Sequence, residues 1–183
     1  MRRDLKLHPD CRCAAVTRIE AEAVRGGGVL SLRYAVSGDI GGLRLPPPAA
    51  PSRTGGLWQH TCFEAFIRPA AGEKYCEFNL APSTQWAAYA FDGYRDGMRP
   101  LGGLAAPHIE TRTDGGQFEL RAALALGRMP ELQDGMPWAL GLSAVIEEAD
   151  GNKSWWALAH PAGKPDFHHS DCFVLELPAA CPP

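Results

Sequence analysis

No apolar run in the 183 residues approaches the roughly 18 that a membrane-spanning helix requires, so no membrane partner is expected. A cluster of basic residues is missing too. The 18 Lys and Arg are scattered among 21 Asp and Glu, giving a net charge of −3, which argues against nucleic acid as a partner. The opening MRRDLKLHPDCRCAAV has two arginines but no apolar segment behind them, so a cytoplasmic location is expected. The chemical motifs that announce an enzyme are absent: there is no G-x-S-x-G, no H-E-x-x-H and no P-loop. No C-x-x-C occurs either. With no export signal at the start, the cysteines at 11, 13, 62, 76, 172 and 181 are expected to be reduced thiols. Cys11-Arg12-Cys13 beside His8 has the look of half a metal clip, but it lacks the second pair that zinc spacing demands.

What is present is ordinary for a globular protein: 45% hydrophobic and 21% charged residues, enough for one domain with a real core. The apolar residues come in short alternating runs separated by turn residues, the period of strands. Residues 15–24 and Val29–Val36 flank Gly26-Gly27-Gly28, with the first of the two expected at a sheet edge. Ile109–Arg112 and Gln117–Leu124 flank Asp114-Gly115-Gly116. Trp138–Glu148 and Ser154–Ala159 flank a further turn, and Cys172–Leu177 closes the series. Between Ser37 and Gly56 the sequence PPPAAPSRTGG excludes helix and central strand. That loop leads into Trp58 and is a candidate wall of a site, although a surface loop is the commoner fate. The expected fold is all-β: a two-sheet antiparallel β-sandwich of immunoglobulin or jelly-roll type with about ten short strands. It is read as a single domain over 1–183, with its core over about 15–177.

The centre of the chain is Leu57–Arg95, LWQHTCFEAFIRPAAGEKYCEFNLAPSTQWAAYAFDGYR. Phe63, Ala65 and Ile67 share one strand face, and Cys76, Phe78 and Leu80 share one face of the next. A hairpin with Phe63 opposite Phe78 and Ala65 opposite Cys76 buries both sets together. The turn cluster Arg68–Glu73 connects them. The same register sets Glu64 opposite Glu77, where like charges repel. An Arg or Lys between them, a bound cation, a shared proton or hydrogen bonds from a ligand would relieve that repulsion. Arg95 and Arg99 are candidate partners, and a solvated structural salt bridge is the plain alternative to a site.

Parity carries Trp58 and His60 onto the face of Glu64, Phe66, Tyr75, Glu77 and Asn79. Aromatics mixed with carboxylates and an amide suit a sugar, whose ring face stacks while its hydroxyls bond polar groups. Trp86 is an outer stacking candidate, and Trp155-Trp156 sends one ring to each face. The ligand-binding set is thus Trp58, His60, Glu64, Tyr75, Glu77, Asn79, Trp86 and Arg95. Two carboxylates also bring a glycosidase to mind, but no loop-built cleft surrounds them in the sequence. His160, Asp166, His168, His169 and Asp171 crowd the last loop in no zinc pattern.

These residues resemble the DOMON-like superfamily, which includes family 9 carbohydrate-binding modules. The resemblance lies in Trp58, Glu64 and Phe66 on one strand, then Tyr75, Phe78 and Asn79 on the next, then an aromatic strand. It extends to the ending SWWALAHPAGKPDFHHSDCFVLEL and covers roughly residues 15 to 177. It implies a non-catalytic module for a sugar-like small molecule, with no obligatory cofactor. In other branches it implies haem, for which Met98 or Met129 with His60 or His160 are nominees. The chain departs from the pattern after Trp58, where Gln59-His60-Thr61 replaces the usual acidic residue.

Overall fold

The computed structural model describes residues 1–70, 72–132 and 135–179; Cys181 and Ala71, the latter in the expected turn cluster, lie outside them. The strands, in chain order, are β1 (Arg2–Leu7), β2 (Val16–Gly26), β3 (Val29–Gly38), β4 (Cys62–Pro69), β5 (Tyr75–Leu80) and β6 (Trp86–Phe91). They continue as β7 (Arg99–Pro100), β8 (His108–Asp114), β9 (Gln117–Ala125), β10 (Trp138–Glu147), β11 (Lys153–Ala157) and β12 (Leu175–Leu177). Three short 3-10 turns are the only helical elements among the described residues, and no helix is long and apolar enough to cross a membrane. The all-β, antiparallel expectation holds.

Local chemistry explains the hairpins. Gly27-Gly28 and Gly115-Gly116 all have positive φ, the backbone that two-residue turns matched to strand twist require. Within β2, Ile19, Ala21 and Ala23 are buried while Glu20 and Glu22 point outward. A bulge between Val16 and Arg18 breaks the strict alternation, so Val16 is buried together with Ile19. The strand pairs with β1 on one side and β3 on the other, so it is no edge strand.

The strands join in one path, β7-β6-β5-β4-β10-β11-β1-β2-β3-β9-β8, with β12 beside β10. β1 is the hinge of that path: Arg2–Leu5 pair with β2, and Lys6 and Leu7 pair with β11. The path curls back on itself. Tyr34 of β3 packs on Phe63 of β4 with ring centroids 5.0 Å apart, and Phe118 of β9 stacks on Phe63 at 5.9 Å. The Tyr34 hydroxyl donates to the Glu64 carbonyl at 2.7 Å, tying the two halves across the core. Its ends are blunted: β7 has two residues, and β8 is polar and exposed.

The central hairpin keeps its expected faces but not its expected register. Glu64 stands opposite Asn79, Ala65 opposite Phe78 and Phe66 opposite Glu77, a slip of two residues. A two-residue slip leaves every side chain on its own face, so apolar periodicity cannot detect it. Packing decides instead. Phe78 lies between Ala65 and Ala88, and Phe63 between Leu80 and Ala144, so large rings meet small or slender neighbours. Facing Phe63 directly with Phe78 would crowd two rings together.

Between β11 and β12 the chain crosses the outer face of β4, β5 and β10. Phe66 is met there by Phe167, His168 and Phe173, with centroids 6.4, 5.0 and 6.3 Å away. Gly141 of β10 permits the close passage, since a Cβ there would stand 3.1 Å from the Cys172 carbonyl oxygen. The outer face of this half is therefore roofed.

Candidate functional site

Under the edge of that roof lies a cavity of about 380 Å³. Its floor is the outer face of the strands: Glu64 from β4, Glu77 from β5, Phe91 from β6, Val145 from β10 and Trp155 from β11. Trp58, Arg95 and Met98 stand on one side, and Pro165, Phe167 and His168 come from the crossing segment. Larger hollows exist. One of about 550 Å³ contains Lys74, Asp92 and Arg99, whose charges already satisfy one another. Another, of about 600 Å³, spreads over charged residues of the opposite half. What singles out the smaller cavity is two buried acids side by side, Glu64 and Glu77, bordered by aromatic rings.

Arg95 is the best-braced residue there. Its φ of +53° is the left-handed conformation, which costs a non-glycine residue roughly 1–2 kcal/mol. Hydrogen bonds hold it in place. Its backbone N–H donates to the Tyr75 hydroxyl at 3.2 Å, and its guanidinium Nη2 donates to Asp166 Oδ1 at 2.7 Å. Asp166 also accepts from the Tyr94 hydroxyl and from the His168 backbone N–H.

The Tyr75 hydroxyl, which accepts from Arg95, also hydrogen-bonds His168 Nδ1, 2.8 Å away. Burial first, then the positive charge of Arg95, brings His168 down to about 4, so the ring is neutral at pH 7. His168 Nε2 lies 3.8 Å from Glu77 Oε2. Glu77 Oε1 accepts a 2.6 Å hydrogen bond from Asn79 Nδ2. Burial raises Glu77 above the usual carboxylate range, with the Asn79 bond and Arg95 acting against the rise.

Glu64 is the least satisfied member. It is 3% exposed, and its one side-chain hydrogen bond comes from the Ser143 hydroxyl to Oε2 at 3.4 Å. Burial, then the negative charge of Glu77, raises it well above the ordinary range; Ser143 and Arg95 pull the other way. Among the described residues no Lys or Arg lies within ion-pair distance of Glu64 or Glu77. Burial thus favours the protonated form of Glu64 more strongly than that of Glu77, and a protonated carboxyl can donate a hydrogen bond as well as accept one.

The residues expected from the sequence separate into three groups. Trp58, Glu64, Glu77 and Arg95 line the cavity, with Trp58 49% exposed at its rim. Tyr75 and Asn79 lie just behind, Tyr75 stacked on Phe91 at 4.6 Å and Asn79 holding Glu77. His60 and Trp86 are elsewhere. Strand parity does not extend back to His60, because Leu57–Gln59 form a 3-10 turn; its Nδ1 lies 2.7 Å from Glu147 Oε2. Trp86 points into the main core with Ala88 and Ala90, and the Arg53 guanidinium covers its ring at 4.4 Å. It is not an outer stacking residue. The 37–56 loop runs along the start of β6, through bonds between Trp86 and Ser52 and Thr54, rather than walling the cavity.

Arg99 pairs with Asp92, leaving Arg95 as the cation near the two acids. Of the haem nominees, Met98 is at the cavity rim and Met129 in the main core. His60 is on Glu147, and His160 donates to the Lys6 carbonyl. Among the described residues no three His, Cys, Asp or Glu side chains are grouped to hold a metal, at the Cys11–Cys13 clip or elsewhere. Cys62 and Cys76 are free thiols on opposite faces.

Sequence reasoning missed His168, Phe167, Ser143 and Phe91 as site residues. Ser143 and Phe91 were recoverable from parity, since they share the faces of Val145 and Tyr89. Trp155 outward and Trp156 inward follow the expected split.

Comparison with known proteins rests on structure alone. No family model matches the chain, and no curated protein matches it. A solved protein from Bacteroides uniformis ATCC 8492, provisionally named carbohydrate-binding, aligns with TM-score 0.67 and 14% identity. That alignment covers 95% of this chain and 84% of that one. A family 9 carbohydrate-binding module from Caldicellulosiruptor kristjanssonii, solved with cellotriose, aligns with TM-score 0.53 and 10% identity, covering 96% and 82%. At such identities the likeness establishes a shared all-β fold.

Proposed function

We propose that this chain is a non-catalytic module that binds a carbohydrate or sugar-like metabolite in the cavity between Trp58 and His168. The observation that carries the reading is the pairing of aromatic walls with a buried acid, Glu64, whose side chain has a single long hydrogen bond, from Ser143. A pyranose offers both complements. Its ring face would lie on Trp58 and Trp155, Glu64 would donate to a hydroxyl, Glu77 would accept from one, and Arg95 would donate to ring or hydroxyl oxygen. The volume, about 380 Å³, suits one or two sugar rings. The shared fold with carbohydrate-binding proteins supports the same reading, as does the resemblance to DOMON-like proteins, and the chain is read as one such module over 1–183.

Binding is favoured over hydrolysis by the placement of the acids. Glu64 and Glu77 are diagonal neighbours on one sheet face, a relation that spaces strand residues by about 7–8 Å. Both would meet a sugar from the same side, whereas glycoside cleavage needs an acid and a base flanking the bond. A cytoplasmic setting belongs to the proposal, and the five described cysteines, all free thiols, fit a reducing compartment.

The test is calorimetric titration of the full chain with glucose, N-acetylglucosamine and cellotriose, repeated on Glu77→Gln. Saturable binding weakened about tenfold or more by the substitution is expected. Binding untouched by the substitution would move the site elsewhere.

A further inference from the structure

The cavity is electrically unbalanced. Arg95 and Asp166 cancel each other across 2.7 Å, and His168 is neutral. Two acids are left over. Glu64 Oε1 has no hydrogen-bond partner among the described residues, although the residue is 3% exposed and borders the hollow. The groups that face Glu64 are Cys62 on its own strand, the Tyr34 hydroxyl beneath, Glu77 on β5, Ser143 on β10 and Arg95 from the turn after β6. Of these only Arg95 is positive, and its guanidinium is engaged by Asp166.

A positive charge is therefore what the cavity lacks, and the rest of its lining says which kind. The described residues hold no group of three His, Cys, Asp or Glu side chains placed to ligate a metal ion, and the aromatic lining offers a metal no further ligands. An organic cation requires less. Its charge is attracted both to carboxylates and to the faces of aromatic rings, and Trp58, Phe91, Trp155 and Phe167 all border the space.

We infer that the ligand is an amino sugar, with its protonated amine seated at Glu64 and Glu77 and its ring against Trp58 and Trp155. This deepens the sugar-binding reading and rests on it. In the free protein no cation lies at contact distance of Glu64, and burial with the neighbouring Glu77 favours its protonated form. An ammonium group supplies the compensation, so binding expels that proton: R–NH3⁺ plus the Glu64 acid gives the R–NH3⁺ carboxylate pair and one H⁺ in solvent. A neutral sugar leaves the Glu64 proton in place.

Calorimetry of the full chain at pH 6, where the amine is protonated, separates the possibilities. The probes are glucosamine, glucose, N-acetylglucosamine and cyclohexylamine, each in two buffers of different ionisation enthalpy, with Glu64→Gln as the comparison. Glucosamine should bind about tenfold or more tighter than either neutral sugar, with a buffer-dependent heat reporting release of up to one proton. In Glu64→Gln both the preference and the proton release should disappear. Glucose binding as tightly as glucosamine, with no buffer dependence, overturns the amine inference and leaves the sugar reading standing. Cyclohexylamine binding without any sugar overturns the sugar reading. Binding by none of the four overturns both.

Discussion

The two outer faces of this molecule are made from the same kind of strand and end in opposite electrostatic states. On the β1–β2–β3–β9–β8 half the outward residues form a ladder of paired charges. Arg33 bonds both Glu20 and Glu119, Arg121 bonds Glu119 at 2.6 Å, and Arg18 bonds Asp4 at 2.8 Å. The ladder is open to water. On the other half Glu64 and Glu77 project from equally regular strands, find no guanidinium at contact distance, and are roofed by aromatic residues. Paired, hydrated charges are nearly neutral for stability, whereas unpaired buried acids are costly. The proposed function accounts for this difference: the second face is the one to which a ligand would come. The acids alone would not carry that conclusion; the cavity beside them does.

The contrast can be broken most forcefully at Phe66. Truncating it to Ala removes the ring on which Phe167, His168 and Phe173 rest, and should cost about 3–5 kcal/mol in urea unfolding. A loss below about 1 kcal/mol would mean that the roof is not packed on β4 as described. The next effect is functional. Trp58→Ala should weaken sugar binding about tenfold or more while leaving the unfolding midpoint unchanged, because the residue is half exposed at the rim.

Glu64→Gln should raise the stability of the ligand-free protein by about 1 kcal/mol, roughly 2–4 °C in Tm. The sign follows from the raised folded-state pKa of Glu64. Stability from this group is full below the unfolded carboxylate range, near ~4.3, and is lost as pH rises through the folded value. The advantage of the Gln variant should thus open with rising pH and vanish in acid. Glu119 on the ladder behaves oppositely. Against its burial, hydrogen bonds from Arg121 and Arg33 hold it below the ordinary range, so its contribution is present at neutral pH and lost on acidification. The smallest effect belongs to Arg121→Ala, less than about 0.5 kcal/mol and further reduced by salt.

The sequence showed the faces better than it showed the distances. Alternation alone put Glu64, Phe66, Tyr75, Glu77 and Asn79 together, because a strand's period of two is a property of the backbone. The hairpin register was beyond it, since a slip of two preserves every face; Ala65 and Ala88 around Phe78 fixed the true pairing. Trp86, the outer stacking candidate, shares its parity with Ala88 and Ala90 and points inward with them. His60 failed for a different reason, a 3-10 turn that ends the alternation. The roof could not be read at all: nothing local in HPAGKPDFHHSD says which sheet face it crosses, and Gly141, which lets it pass, sits elsewhere in the chain.

The most direct measurement is tryptophan fluorescence during titration with glucose, glucosamine and cellotriose. Trp86, Trp138 and Trp156 are in the core, and only Trp58 and Trp155 border the cavity. The expected result is a saturable change with at least one sugar, moved to about tenfold higher sugar concentration in Trp58→Ala and abolished when Trp58 and Trp155 are both replaced. An unchanged spectrum with all three sugars, or a change that survives the double substitution, would contradict the assignment of this cavity as the binding site.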